Sequence, residues 1–130
     1  MREKHVLIQL RDNKKNIIFP NKWGFFGGEI KIYEKHLNGI KRELKEELNI
    51  RNFNSLKFIF SFYEKKYNSL FFVYKLYIFE KFNLKEGLEA KFFNIKDILN
   101  GGKSRVTGKY HKVAEFNLMK KILNYSKKFL

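Results

Sequence analysis

Four carboxylates and one guanidinium crowd into residues 34–47 of this chain: Glu34, Arg42, Glu43, Glu46 and Glu47. Paired glycines, Gly27 and Gly28, stand just ahead of them. The concentration is unexpected in a protein with 28 Lys+Arg against 13 Asp+Glu. On a helix advancing about 100° per residue, Glu43, Glu46 and Glu47 share one sector, roughly 110° round from a stripe of Leu37, Ile40, Leu44 and Leu48. Such a helix can bury the stripe while three carboxylates converge at one cleft edge. Like charges three and four residues apart cost an isolated helix some tenths of a kcal/mol per pair. They also sit towards the helix C-terminus, where the dipole favours cations. A positive partner is therefore required. Lys41, Lys45 and Arg51 are one choice; a hard divalent cation, which prefers carboxylate oxygens, is the other. The bare backbone of the glycine pair can approach a ligand or offer a carbonyl to a metal.

The spacing narrows the choice. Gly28 is followed after five residues by Glu34, and after seven more by Arg42-Glu43-Leu44; Lys45 then precedes Glu46-Glu47, and Leu48-Asn49-Ile50 closes the run. This pattern resembles the signature of the Nudix hydrolase superfamily, with Asn49 in place of its last glycine. Asn is the closest stand-in for Gly in left-handed backbone. The run-up "IQLRDNKKNIIFPNKWGFFGGEI" is similar too, so the resemblance covers essentially the whole chain. Lys31 and Tyr33 depart from an acid and a glycine common in the family, which points to altered loop geometry or substrate contacts there.

The resemblance implies hydrolysis of a nucleoside diphosphate linked to another group, with Mg²⁺ or Mn²⁺ as cofactor. Carried over by position, Glu43, Glu46 and Glu47 are the metal-binding carboxylates, assisted by the Gly27 carbonyl. Glu34 and Arg42 orient rather than react, since an Arg fork can hold a carboxylate bidentately. A further base can lie in a later loop; Glu86 is favoured for it over Glu89, because Gly87 suggests a tight turn. Arg11, Phe26, Arg105 and Lys109 are candidate substrate contacts, with Lys103 beside them. Trp23, Phe25 and Phe26 also read as core, and His5, His36 and His111 show no metal-ligand spacing.

Several elements must position these groups. "HVLIQLR" alternates as a strand, a turn follows, and "IIF" before Pro20 is a second short strand. "KWGFFGG" runs from strand into loop, "EIKI" is another short strand, and a helix follows from about Glu34 to Leu48, ended by Asn49. "SLKFIFSFYE" and "LFFVYKLYIFE" form a hairpin around residues 65–69, and "LEAKFFN" contains a further strand. "IKDIL" is a helical turn, "GGKSRVTGK" a mobile polar loop and possible lid, and Val113, Phe116, Met119 or Lys120, and Leu123 mark a closing helix from Tyr110 to about Phe129. The expected fold is α/β (α+β): a Nudix-like α/β/α sandwich with a mixed sheet between helices, in a single domain of residues 1–130.

Composition sets the outer limits. At 130 residues with 44% hydrophobic content, the chain can bury one core. With no cysteine, disulfides and zinc–thiolate chemistry are excluded. No run is long and apolar enough for a membrane span, so the expectation is a cytoplasmic protein, monomeric or homodimeric. The net charge of +15 raises a nucleic-acid partner as the alternative. Against it, 23 of the 28 basic residues are Lys and only five are Arg, the usual base-reading side chain. The leading substrate is a small nucleotide of the nucleoside triphosphate type. Nucleotide sugars and dinucleoside polyphosphates, the latter suggested by Tyr67, are the alternatives within the same chemistry.

Overall fold

A computed structural model describes residues 5–11, 21–28, 30–78 and 81–127. Strand β1 (His5–Leu10) pairs antiparallel with β2 (Trp23–Gly24) on one side and with β5 (Glu89–Asn94) on the other. Helix α1 (His36–Leu48) follows the glycine pair, and β3 (Lys57–Glu64) and β4 (Ser69–Lys75) form a separate antiparallel hairpin. The short strands β6 (Gly102–Lys103) and β7 (Tyr110–His111) pair with each other, and α2 (Phe116–Ser126) closes the chain. A parallel bridge between Trp23 and Val113 makes the strand pairing mixed.

The alternation of β1 explains the layering. Successive side chains leave a strand on opposite faces. Ile8 and Leu10 enter one core with Trp23, Phe93, Ile98, Met119 and Leu123, so α2 covers that face. Leu7 packs instead with Leu44, Leu48 and Ile50, so α1 covers the other. The result is the expected sheet between helices. Gln9 shares the parity of Leu7 and points to the α1 side, where burial leaves it only 4% exposed.

Several element boundaries differ from the sequence reading. Ile30–Ile32 is not a strand: the Glu34 N–H donates to the Lys31 carbonyl at 3.0 Å, closing a turn. Tyr33, at φ 68°, takes the left-handed position of that turn. The expected strand before Pro20 and the start of "EIKI" at Glu29 lie outside the described residues. β4 ends at Lys75, before the expected run is complete. Residues 102–111 are a hydrogen-bonded hairpin with a fully buried Ser104, in place of the mobile loop expected from their polarity. α2 begins only at Phe116, because Tyr110–His111 and Val113 are used in strand pairing. Leu37 and Phe116, both expected in apolar stripes, are exposed; burial along α1 sets in one turn later, with Ile40 and Leu44.

Helix α1 is fixed at both ends. The His36 ring stacks on Phe72 with centroids 4.1 Å apart, and its Nδ1 is hydrogen-bonded to the Tyr74 hydroxyl. At the other end Asn49 adopts the left-handed conformation at φ 56° and donates its N–H to the Lys45 carbonyl at 3.0 Å. That is the cap expected of an Asn replacing Gly.

Candidate active site

The carboxylate sector of α1 faces the glycine turn. Arg42 lies at its centre, with Nε donating to Glu34 at 2.8 Å and a terminal nitrogen donating to the other Glu34 oxygen at 3.1 Å. The pairing is bidentate, the strong form of a guanidinium–carboxylate contact. The remaining terminal nitrogen donates to Glu43 at 2.8 Å and to Glu46 at 3.3 Å. One guanidinium thus ties the turn before the helix to two carboxylates on it. Glu34 also accepts the Lys31 N–H at 3.0 Å. Its pKa falls to about 2, chiefly through the Arg42 hydrogen bond. The pair is thereby held in one bidentate geometry.

Glu47 is different. Its side chain is buried, with the residue 3% exposed, and it accepts from neutral donors: Gln9 Nε2 at 3.0 Å and the Gly27 N–H at 3.1 Å. Burial, followed by the neighbouring Glu43 charge, raises its pKa to about 8, while Gly27 and Gln9 pull the other way. A desolvated carboxylate beside a second one is unstable as an anion unless a cation joins them. Among the described residues no lysine or arginine pairs with Glu47.

The glycine pair makes this proximity possible. Gly27 has φ 144°, backbone that side-chain-bearing residues rarely adopt. A Cβ on Gly28 would fall 2.5 Å from a Glu43 oxygen, so the bare backbone is what the carboxylate rests against. The structure therefore uses the Gly27 N–H as a donor to Glu47 in addition to any role for its carbonyl.

Other expected residues are more dispersed. Phe26 packs against the α1 core, consistent with its core reading. Arg11 follows β1, its backbone hydrogen-bonded to Lys22 and Asn21. Glu86, Arg105 and Lys109 are exposed and, among the described residues, make no side-chain bond to the α1 cluster. The loop carrying Glu86 is nevertheless docked on α1, since the Lys85 N–H donates to the Glu47 carbonyl at 2.8 Å. Glu89 instead binds Ser104 and the Arg105 backbone. Among the described residues no three His, Asp or Glu groups are gathered tightly enough to hold an ion unaided. Gln9 is a contact of the candidate site that the sequence reading missed. Its one signal is a polar side chain on the inward parity of an apolar strand.

The donor set fits a hard cation. Glu43 and Glu47 carry oxygens of the class such a cation takes, and among the described residues no cationic side chain pairs with Glu47. Comparison with known proteins bears on the family and the fold. A family model described as the NUDIX domain matches residues 1–114. Among solved structures, the chain is similar to DR0079 from Deinococcus radiodurans, with TM-score 0.68 and 22% identity over 90% of this chain and 74% of that one. It is also similar to a C. elegans Ap4A hydrolase in a binary complex, with TM-score 0.65 and 18% identity over 96% of this chain and 86% of the other. Comparison with curated proteins finds no match.

Proposed function

The chain belongs to the Nudix family as a Nudix-type pyrophosphohydrolase, and we propose that it hydrolyses the diphosphate linkage of a nucleoside triphosphate-type substrate with Mg²⁺ or Mn²⁺. The observation that carries the reading is the buried Glu47 beside Glu43, held by neutral donors. Glu43, Glu46 and Glu47 would hold the metal, with the Gly27 carbonyl beside them. When bound, a divalent ion neutralises phosphate charge and lowers the pKa of a coordinated water. The protein supplies orientation. Gln9 and the Gly27 N–H fix the Glu47 carboxylate, and the Arg42 fork fixes Glu34, Glu43 and Glu46. Arg11, Phe26, Arg105 and Lys109 are proposed to meet the substrate, and Glu86 to assist as base from the loop docked on α1. No helix among the described residues is long and apolar enough to cross a membrane.

A panel of nucleoside triphosphates, nucleotide sugars and dinucleoside polyphosphates, assayed for phosphate or pyrophosphate release with each metal and with chelator, tests the reading. Glu46→Gln and Glu47→Gln are expected to abolish metal-dependent turnover. If both retain wild-type rates, the catalytic assignment is wrong. The Ap4A hydrolase likeness keeps dinucleoside polyphosphates in the panel as a second substrate class.

A further inference from the structure

We propose that Glu89 is a positioning residue: it fixes the β6–β7 hairpin as a rigid cationic prong whose Lys103, Arg105 and Lys109 bind the terminal phosphates of a polyphosphate substrate. This rests on the pyrophosphohydrolase reading above. One Glu89 oxygen accepts both the Ser104 hydroxyl at 2.8 Å and the Arg105 N–H at 3.0 Å. The Ser104 hydroxyl, fully buried, also accepts the Val106 and Thr107 N–H groups at 3.0 and 3.1 Å. The turn is thereby wrapped around a single oxygen that Glu89 holds in place.

The rest of the hairpin is tied just as closely. The Trp23 indole donates to the Gly102 carbonyl at 3.0 Å, and the His111 ring bridges the Thr107 hydroxyl and the Asn21 carbonyl. Lys91 donates to the Lys103 carbonyl at 3.0 Å. Buried polar groups with every partner in place rigidify a segment. What this framework exposes are the Lys103, Arg105 and Lys109 side chains.

Register places the hairpin root at the same end of β1 as the site, on the α2-covered face of the sheet. Glu89 pairs with Leu10 across β1–β5, and the preceding β1 residue, Gln9, reaches Glu47. Gly87, two residues before Glu89, lies against the same Gln9 side chain: a Cβ there would come within 2.9 Å of its amide oxygen. The hairpin root and the Glu47 anchor thus share one end of β1. A carboxylate oxygen committed to two protein donors is suited to hold structure.

The test uses inorganic tripolyphosphate binding measured by calorimetry in chelator, and then steady-state kinetics of the metal-loaded enzyme on a nucleoside triphosphate. Glu89→Ala and Ser104→Ala, checked for folding by circular dichroism, are each expected to weaken tripolyphosphate about tenfold. KM should rise by a similar factor, with kcat and its pH profile unchanged. Glu89→Gln should preserve both, because its amide oxygen still accepts from Ser104 and Arg105. Unchanged affinity in Glu89→Ala, or no tripolyphosphate binding by the wild type, overturns the proposal. So does loss of kcat and of a pH-profile limb in Glu89→Gln, which would make Glu89 a base. If no nucleotide is hydrolysed at all, the enzymatic reading fails, while the binding series still decides this one.

Discussion

Gly28 has the least steric tolerance in the site. A methyl group there would sit 2.5 Å from a Glu43 oxygen, a separation that real Cβ atoms do not show. The Glu43 carboxylate would have to swing away and give up its 2.8 Å bond to Arg42. Gly28 is itself exposed, so the fold has little reason to suffer. Gly28→Ala is therefore expected to lower kcat about a hundredfold, the cost of a misplaced group, while the melting temperature barely moves. Kinetics and a thermal melt on one preparation decide it. Glu34 tests the other half of the cluster. Arg42 holds its pKa near 2, below the ordinary value of 4.5. A depressed carboxylate stabilises the folded state above its unfolded pKa, and that contribution disappears as pH falls through the folded value. Glu34→Gln should thus destabilise the protein at pH 7, and the deficit should shrink between about pH 4.5 and pH 2. Melts of both proteins across that range would show parallel curves if the pair were unimportant.

The C-terminus of α1 matters because Glu43, Glu46 and Glu47 all lie in its last two turns. Asn49 closes that end at φ 56°, a conformation costing a residue with an ordinary side chain about 1 kcal/mol. Asn49→Ala is accordingly expected to lose about 1 kcal/mol in urea unfolding, whereas Asn49→Gly should be close to neutral. Equal losses in both would mean that the Asn side chain, not the backbone angle, closes the helix. This cap was legible in the sequence, as were α1, the carboxylate spacing and the sheet between two helices. All of them rest on local periodicity or on residue types with fixed conformational preferences. The misses share a different origin. Gln9 finds Glu47 thirty-eight positions along the chain, and Ser104 finds Glu89 fifteen positions back. Nothing in the neighbouring residues announces either meeting. The polar, glycine-rich composition of residues 101–109 suggested mobility because its compensating hydrogen bonds come from β5, from Trp23 and from Asn21.

Taken as a whole, the molecule carries a charge of +15, with three of its 13 acids gathered where an ion is proposed to sit. Such a distribution attracts polyanions from a distance even when few of the lysines touch them. The attraction is screened with a Debye length of about 10 Å at 0.1 M salt and about 3 Å at 1 M. Contacts inside the site, between a partly buried cluster and bound phosphates, are screened far less. The two ranges predict a separation of kinetic constants. Raising monovalent salt from about 0.05 to 0.5 M, with the divalent metal held constant, should raise KM for a nucleoside triphosphate severalfold and leave kcat unchanged. A nucleotide sugar, with fewer charges, should respond less. The alternative of a nucleic-acid partner makes a steeper demand. Each phosphate neutralised on a single strand contributes about −0.7 to the slope of log affinity against log salt. Short single-stranded RNA titrated over the same salt range separates the cases. Weak binding at physiological salt marks the lysines as a diffuse field serving a small substrate. Tight binding with a slope of several units would mean that the surface charge forms a binding site of its own.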